Sequence, residues 1–144
     1  MDEMQRALIE KQCERLSIRF ANYVDQGRAE DVATLFSDDG SFSRAGQVLD
    51  GPDQLRAFLE KRPPERVTRH VCTNIDVNLV SPNEATGVTY FLLFEGSRAA
   101  DSEGPLPLMS PAALGEYHDT FVLTPQGWRI KERSAQAVFR QVEG

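Results

Sequence analysis

The chain has 144 residues, 40 % of them apolar and 26 % charged, a composition typical of a soluble globular domain long enough to bury a core. Its formal charge of −6 and sequence pI of about 4.9 argue against nucleic acid as a main partner, because phosphate binding needs a basic surface. No apolar run approaches the roughly 20 residues needed to cross a bilayer, and the charged opening MDEMQRALIEKQCERL has no signal-peptide core; a cytoplasmic location with no membrane partner is the default expectation.

Residues 3–25 are expected to form a helix, with Met4, Leu8, Leu16, Phe20 and Val24 recurring at multiples of four and Gly27 ending it. A second, short helix is expected over 29–36, with Val32, Leu35 and Phe36 inward, followed by a turn at Asp38-Asp39-Gly40. Ser41–Val48 reads as a short strand pair around Gly46. Gly51-Pro52-Asp53 opens a third helix, because proline suits a first-turn position; Leu55, Phe58 and Leu59 form its apolar face and Pro63-Pro64 stops it.

The second half changes period. Residues 66–80 alternate, with Val67, Val71, Ile75, Val77 and Leu79 mostly on one face, and Ser81-Pro82-Asn83-Glu84 is a turn. Residues 85–95 form a strand whose centre, Tyr90-Phe91-Leu92-Leu93-Phe94, is apolar on both faces and therefore needs cover on both sides. Residues 96–112 are rich in Gly, Pro and Ser and read as a long loop. Two further strands, 113–124 and 127–139, are joined by a turn at Thr124–Gly127. Helices followed by long antiparallel strands make an α+β arrangement over a single domain, 1–144, in which one sheet curls around the helices. A second copy of the chain is the simplest cover for the other sheet face, so a homodimer built sheet to sheet is expected.

Two isolated cysteines, Cys13 and Cys72, lack CxxC spacing and are expected to be reduced and buried. No metal-binding motif is present: there is no HExxH, and His118 and Asp119, being neighbours, point to opposite faces of a strand. The chemistry-bearing candidates are His70, in the strand-like run Arg69-His70-Val71-Cys72-Thr73-Asn74, and Asp25, at the end of the first helix. A carboxylate that orients an imidazole makes a proton-transfer pair at neutral pH. Asp25 would fix the ring's tautomer, although a helix C-terminus is an unfavourable place for an anion. Tyr23, Asn74, Tyr117 and Asp119 are candidates for binding a substrate oxygen. Tyr117, Asp119 and Phe121 share one strand face, so an inward Phe121 carries the other two inward. His118 is expected to face outward, Trp128 to lie in the core, and Arg129 and Arg133 to be solvated or at a dimer edge.

The ordered set Tyr23-Val24-Asp25 with Gly27, Leu35-Phe36-Ser37-Asp38-Asp39, Gly51-Pro52, Arg69-His70 with Thr73-Asn74, Gly115-Glu116-Tyr117-His118-Asp119, Gly127-Trp128-Arg129-Ile130 and Arg133 resembles the SnoaL-like group of the nuclear transport factor 2-like superfamily. The resemblance spans roughly residues 5–140. It implies a cone-shaped α+β barrel, with three N-terminal helices packed into a strongly curved, mixed but mostly antiparallel sheet around a deep pocket. Scytalone dehydratase, bile-acid 7α-dehydratase and hexachlorocyclohexane dehydrochlorinase, similar members, use an aspartate and a histidine at positions matching Asp25 and His70. Ketosteroid isomerases carry a first-helix tyrosine where Phe20 stands here, and an aspartate where this chain has Ser43-Arg44, so that activity is not expected. Scytalone dehydratase has a tyrosine directly before its aspartate; here Val24 stands there.

The resemblance thus implies a cofactor-independent lyase or isomerase that eliminates water or halide from a hydrophobic, oxygenated small molecule. His70 and Asp25 would be catalytic, and Tyr23, Asn74, Tyr117, Asp119, Phe20 and Phe121 would contact substrate. The alternatives are a non-catalytic small-ligand-binding domain or an assembly domain like the small subunits of aromatic-ring dioxygenases, and a polyketide cyclase. This fold hosts all three.

Overall fold

The computed structural model describes residues 1–142. Helix α1 (Glu3–Asp25) opens with a capping box, in which the Asp2 carboxylate accepts from Gln5 N and the Gln5 side chain accepts from Asp2 N. It ends at Gln26, and Gly27 turns the chain away with φ 71°. Only its second half is core: Cys13, Leu16, Ser17, Phe20 and Ala21 are buried. Met4 and Leu8, which share the expected apolar stripe, are exposed.

Helix α2 (Ala29–Thr34) is shorter than its apolar pattern. Leu35 caps it, and Phe36 already pairs with Ile130 as the first residue of strand β1 (Phe36–Arg44). Asp38-Asp39-Gly40 is not a free turn but part of β1. Its turn chemistry is expressed as an irregularity: five steps along β1, from Phe36 to Ser41, answer two along the partner, Ile130 to Glu132. Strand β2 (Gln47–Asp50) folds back on β1 around Ala45-Gly46, and helix α3 (Pro52–Glu60) follows with Pro52 in its first turn. The remaining strands are β3 (Arg66–Ser81), β4 (Glu84–Ser97), β5 (Ala113–Thr124) and β6 (Gly127–Arg140).

These strands form one six-stranded sheet in the order β2-β1-β6-β5-β4-β3. Every pairing is antiparallel except β1 with β6, which is parallel. The sheet curls around the helices, and one apolar cluster draws residues from all nine elements, from Cys13 and Phe20 of α1 to Trp128 and Ile130 of β6.

A bulge in β3 sets which side chains look inward. Thr73 pairs with Tyr90 and Asp76 with Val88, so β3 carries one residue more than β4 over this stretch. Asn74 absorbs the excess at φ 51°, a left-handed conformation that asparagine tolerates better than most residues. Before the bulge the even residues Thr68, His70 and Cys72 turn inward; after it the odd residues Ile75, Val77 and Leu79 do. A single alternation from 66 to 80 is therefore replaced by two of opposite phase. Val67 and Val71 fall on the outer face, while Val77 joins the core.

Candidate active site

Inside the cone lies a cavity of about 790 Å³, within the range of small-molecule sites. Phe20 and Val24 of α1, Leu55 and Phe58 of α3, and Phe91, Leu93 and Tyr117 of the sheet supply most of its apolar wall, and His70 is among its polar groups. The wall is stiffened by ring contacts: Phe91 stacks on Tyr117 with centroids 4.3 Å apart, and Phe20 meets Tyr117 edge-on at 5.6 Å. Gly115 makes the Phe91 position possible. A Cβ there would stand 2.5 Å from the Phe91 ring and 2.7 Å from the Gln136 carbonyl oxygen.

Asp25, the last residue of α1, reaches across to β3. Its Oδ1 lies 2.7 Å from His70 Nδ1, and its Oδ2 accepts the His70 backbone N–H at 2.8 Å. Thr68 donates its hydroxyl to Oδ1 at 2.8 Å, and Arg62 in turn donates to Thr68 Oγ1 at 2.8 Å and to the Val24 carbonyl at the end of α1. The arrangement is sheltered, with 12 % of the His70 side chain and 7 % of the Asp25 side chain exposed. Burial pushes the Asp25 carboxyl up. The hydrogen bonds from the His70 ring and backbone and from the Thr68 hydroxyl outweigh it, and the ring adds its charge in the same direction when protonated, so the group is held below the usual carboxylate value. Against an ionised carboxylate, Nδ1 is the donor, which leaves Nε2 as the ring's free lone pair.

Tyr117 is also part of the cavity wall, and its phenol is held protonated. Burial raises its pKa far above the ordinary value, and the positive charge of Arg133 only partly opposes this. A protonated phenol is a hydrogen-bond donor.

The other expected contacts lie elsewhere. Tyr23 sits one residue round the helix from Val24, away from the cavity, with the Arg28 guanidinium 4.2 Å over its ring. Asn74 is the exposed residue of the β3 bulge and cannot share the inward phase of His70. Asp119 does turn inward, but it is spent on Arg133: Nε–Oδ1 2.7 Å and Nη2–Oδ2 2.9 Å. Phe121 is fully buried in the core beside Ile130, outside the cavity lining. Phe20 and Tyr117 are the two substrate-contact candidates that line the cavity with His70.

Arg133 is not solvated. It is fully buried, with its guanidinium 4.1 Å from the Tyr117 ring centroid and 4.5 Å from that of Phe20. It also donates to Ser17, which is bonded to Thr89 at 2.8 Å. Burial disfavours its charge, and Asp119 more than offsets that. This network ties α1 to β4, β5 and β6 behind the aromatic wall, and losing one partner of such a pair costs about 3–5 kcal/mol. The register opposite Asp119 places Arg133 there, and no local sequence pattern reports that register. Thr68 had a weak signal, being two residues before His70 on the same strand face; Arg62, outside any element, had none.

His118 faces outward against Glu116 at 3.0 Å, and Trp128 is in the core. Both cysteines are free thiols; Cys13 is buried and its pKa is pushed up to about 12, chiefly by burial. Among the described residues, no group of three or more His, Cys, Asp or Glu side chains is placed to hold a metal ion, and no helix is long and apolar enough to cross a membrane.

Comparison with known proteins agrees with this architecture. A search of curated proteins found no match. Among solved structures, a scytalone dehydratase-like protein of Novosphingobium aromaticivorans superposes with a TM-score of 0.78 at 24 % identity, over 96 % of this chain and 90 % of that one. A nuclear transport factor 2-like protein with a cystatin-like fold, from the same organism, gives 0.75 at 19 % identity, over 94 % and 85 %. A type 2 hexachlorocyclohexane dehydrochlorinase gives 0.80 at 14 % identity, over 97 % and 92 %. These likenesses establish the fold, and the sequence model of one family covers most of the chain: by its match over residues 5–134, the protein belongs to the SnoaL-like domain family.

Proposed function

We propose that the protein is a cofactor-independent lyase or isomerase of the dehydratase type, acting on a hydrophobic, oxygenated small molecule. The observation that carries this reading is the 2.7 Å contact between Asp25 and His70 on the wall of a cavity lined mainly by aromatic and aliphatic side chains. His70 Nε2 takes a proton from an acidic C–H, and Asp25 orients the ring and stabilises the imidazolium. The C–H electron pair becomes a double bond as the neighbouring C–O bond breaks. The departing hydroxide takes the proton back from His70 and leaves as water. The Tyr117 hydroxyl donates a hydrogen bond to the carbonyl oxygen that gathers charge on the way. With a halide as leaving group the proton remains on His70 until solvent removes it.

Asp25 sits where the α1 dipole opposes an anion, and the hydrogen bonds from His70 and Thr68 offset that cost. An assembly domain needs neither the cavity nor the Asp25–His70 contact. The likeness of this protein's fold to those of a scytalone dehydratase-like protein and a dehydrochlorinase supports the same reading.

The test is a panel of β-hydroxy ketones, hydroxylated polyketide fragments and chlorinated cyclohexanes, followed by ultraviolet absorbance and mass spectrometry. A turned-over compound should lose about 10²–10⁴ in kcat with His70→Gln, with the far-ultraviolet circular dichroism of the variant unchanged. Full turnover by a folded His70→Gln protein would end the proposal.

A further inference from the structure

The cavity mouth is basic, although the protein is acidic. The chain carries 16 Lys and Arg against 22 Asp and Glu, yet the cavity is lined by five cations, Arg44, Lys61, Arg62, Arg66 and Arg140, and one acid, Glu95. These come from separate places in the sequence: the end of β1, the end of α3 and the residue after it, the start of β3, and the end of β6. Glu95 is matched by Arg66 at 3.0 Å. Arg62 is occupied with Val24 O and Thr68. Arg44, Lys61 and Arg140 have no carboxylate partner among the described residues, and all three are exposed at the mouth. Burial and the charge of nearby Arg66 push the Arg62 pKa down, as expected where cations crowd together.

A cleft of one sign with apolar walls concentrates its field and draws in the opposite ion. The overall charge of −6 repels nucleic acid and other polyanions at a distance, so the field suits a small anion. Guanidinium groups pair with carboxylate and phosphate in a planar fork. We propose that the ligand of this cavity is an amphipathic anion, with an apolar ring or chain reaching toward His70 and a carboxylate or phosphate held at the mouth by Arg44, Lys61 and Arg140. This rests on the cavity being the substrate site, and not on the chemistry assigned to His70.

The experiment is calorimetric titration of the full chain carrying His70→Gln, so that no turnover intrudes. The probes are 1-naphthoate, decanoate and 1-naphthyl phosphate, with methyl 1-naphthoate and methyl decanoate as neutral counterparts. At low salt at least one anion should bind about tenfold more tightly than the neutral esters. The preference should shrink at about 0.5 M salt, where screening shortens the reach of these charges. It should vanish in Arg44→Gln/Lys61→Gln/Arg140→Gln, with ester binding unchanged. The tighter of the carboxylate and phosphate probes identifies the head group, and either ranking supports the proposal. Esters that bind as well as the anions, an anion preference that survives the triple variant, or no binding by any anion overturns it. An anion preference in a protein that eliminates nothing removes the lyase reading and leaves this one standing; turnover of neutral substrates without anion preference does the reverse.

Discussion

The carboxylate of Asp25 accepts three hydrogen bonds, two from His70 and one from Thr68. Because its pKa is lowered in the folded protein, unfolding takes up protons at acid pH. The stabilisation is therefore fully present above the unfolded value near 3.8 and is lost as pH falls through the folded one. The wild type should exceed Asp25→Asn in urea-unfolding free energy at neutral pH, and the gap should close as pH drops below about 4. A gap that is constant with pH would mean that Asp25 is not ionised in this contact. The positions of Asp25 and His70 were legible because the sequence order helix–aspartate, strand–histidine matches a known family. Thr68 and Arg62 were not, since their importance comes from who stands beside them. A buried threonine and an arginine past a helix end are ordinary in any sequence; only the tertiary fold turns them into a chain of donors ending on Asp25.

Strand β3 shows how one residue decides the identity of a face. The helices, the strands and most turns followed from apolar period and from Gly and Pro, because those signals are local. The bulge did not, because parity counting assumes an unbroken ladder, and Asn74 breaks it. An unbroken ladder would put Asn74 and Asp76 on the face of His70, yet both are exposed. The same gap in local information hid Arg133, whose burial depends on the β5–β6 register. If the φ of Asn74 fixes the bulge, the type of residue there matters more than any contact it makes. Asn74→Gly should stay within about 1 kcal/mol of the wild type, while Asn74→Val, β-branched in a left-handed conformation, should lose about 1–3 kcal/mol. Chemical unfolding measures both, and equal losses for the two would remove the bulge from this account.

At the scale of the whole molecule, the cone has an unfinished outer surface. Val71, Leu92, Leu114 and Phe139 lie in register across β3, β4, β5 and β6, on the face away from the cavity, with Val71 and Phe139 48 % and 69 % exposed. Tyr90, on the next row, is also exposed. A row of this kind across four strands is larger than the scattered apolar residues of an ordinary surface. A homodimer packed through this face is the expected outcome. Sedimentation equilibrium should report twice the chain mass, and Leu92→Glu should sediment as a monomer; a monomeric wild type at micromolar concentration would refute it. The parallel pairing of β1 with β6 has a different consequence. β1 and β2 sit at one edge of the sheet and reach the rest of it only through β6, the final strand in chain order. On the ribosome, β1 can pair only with β2 until the 130s have been translated, so Phe36 and Phe42, buried in the finished fold, gain the cover of β6 only when synthesis is almost complete.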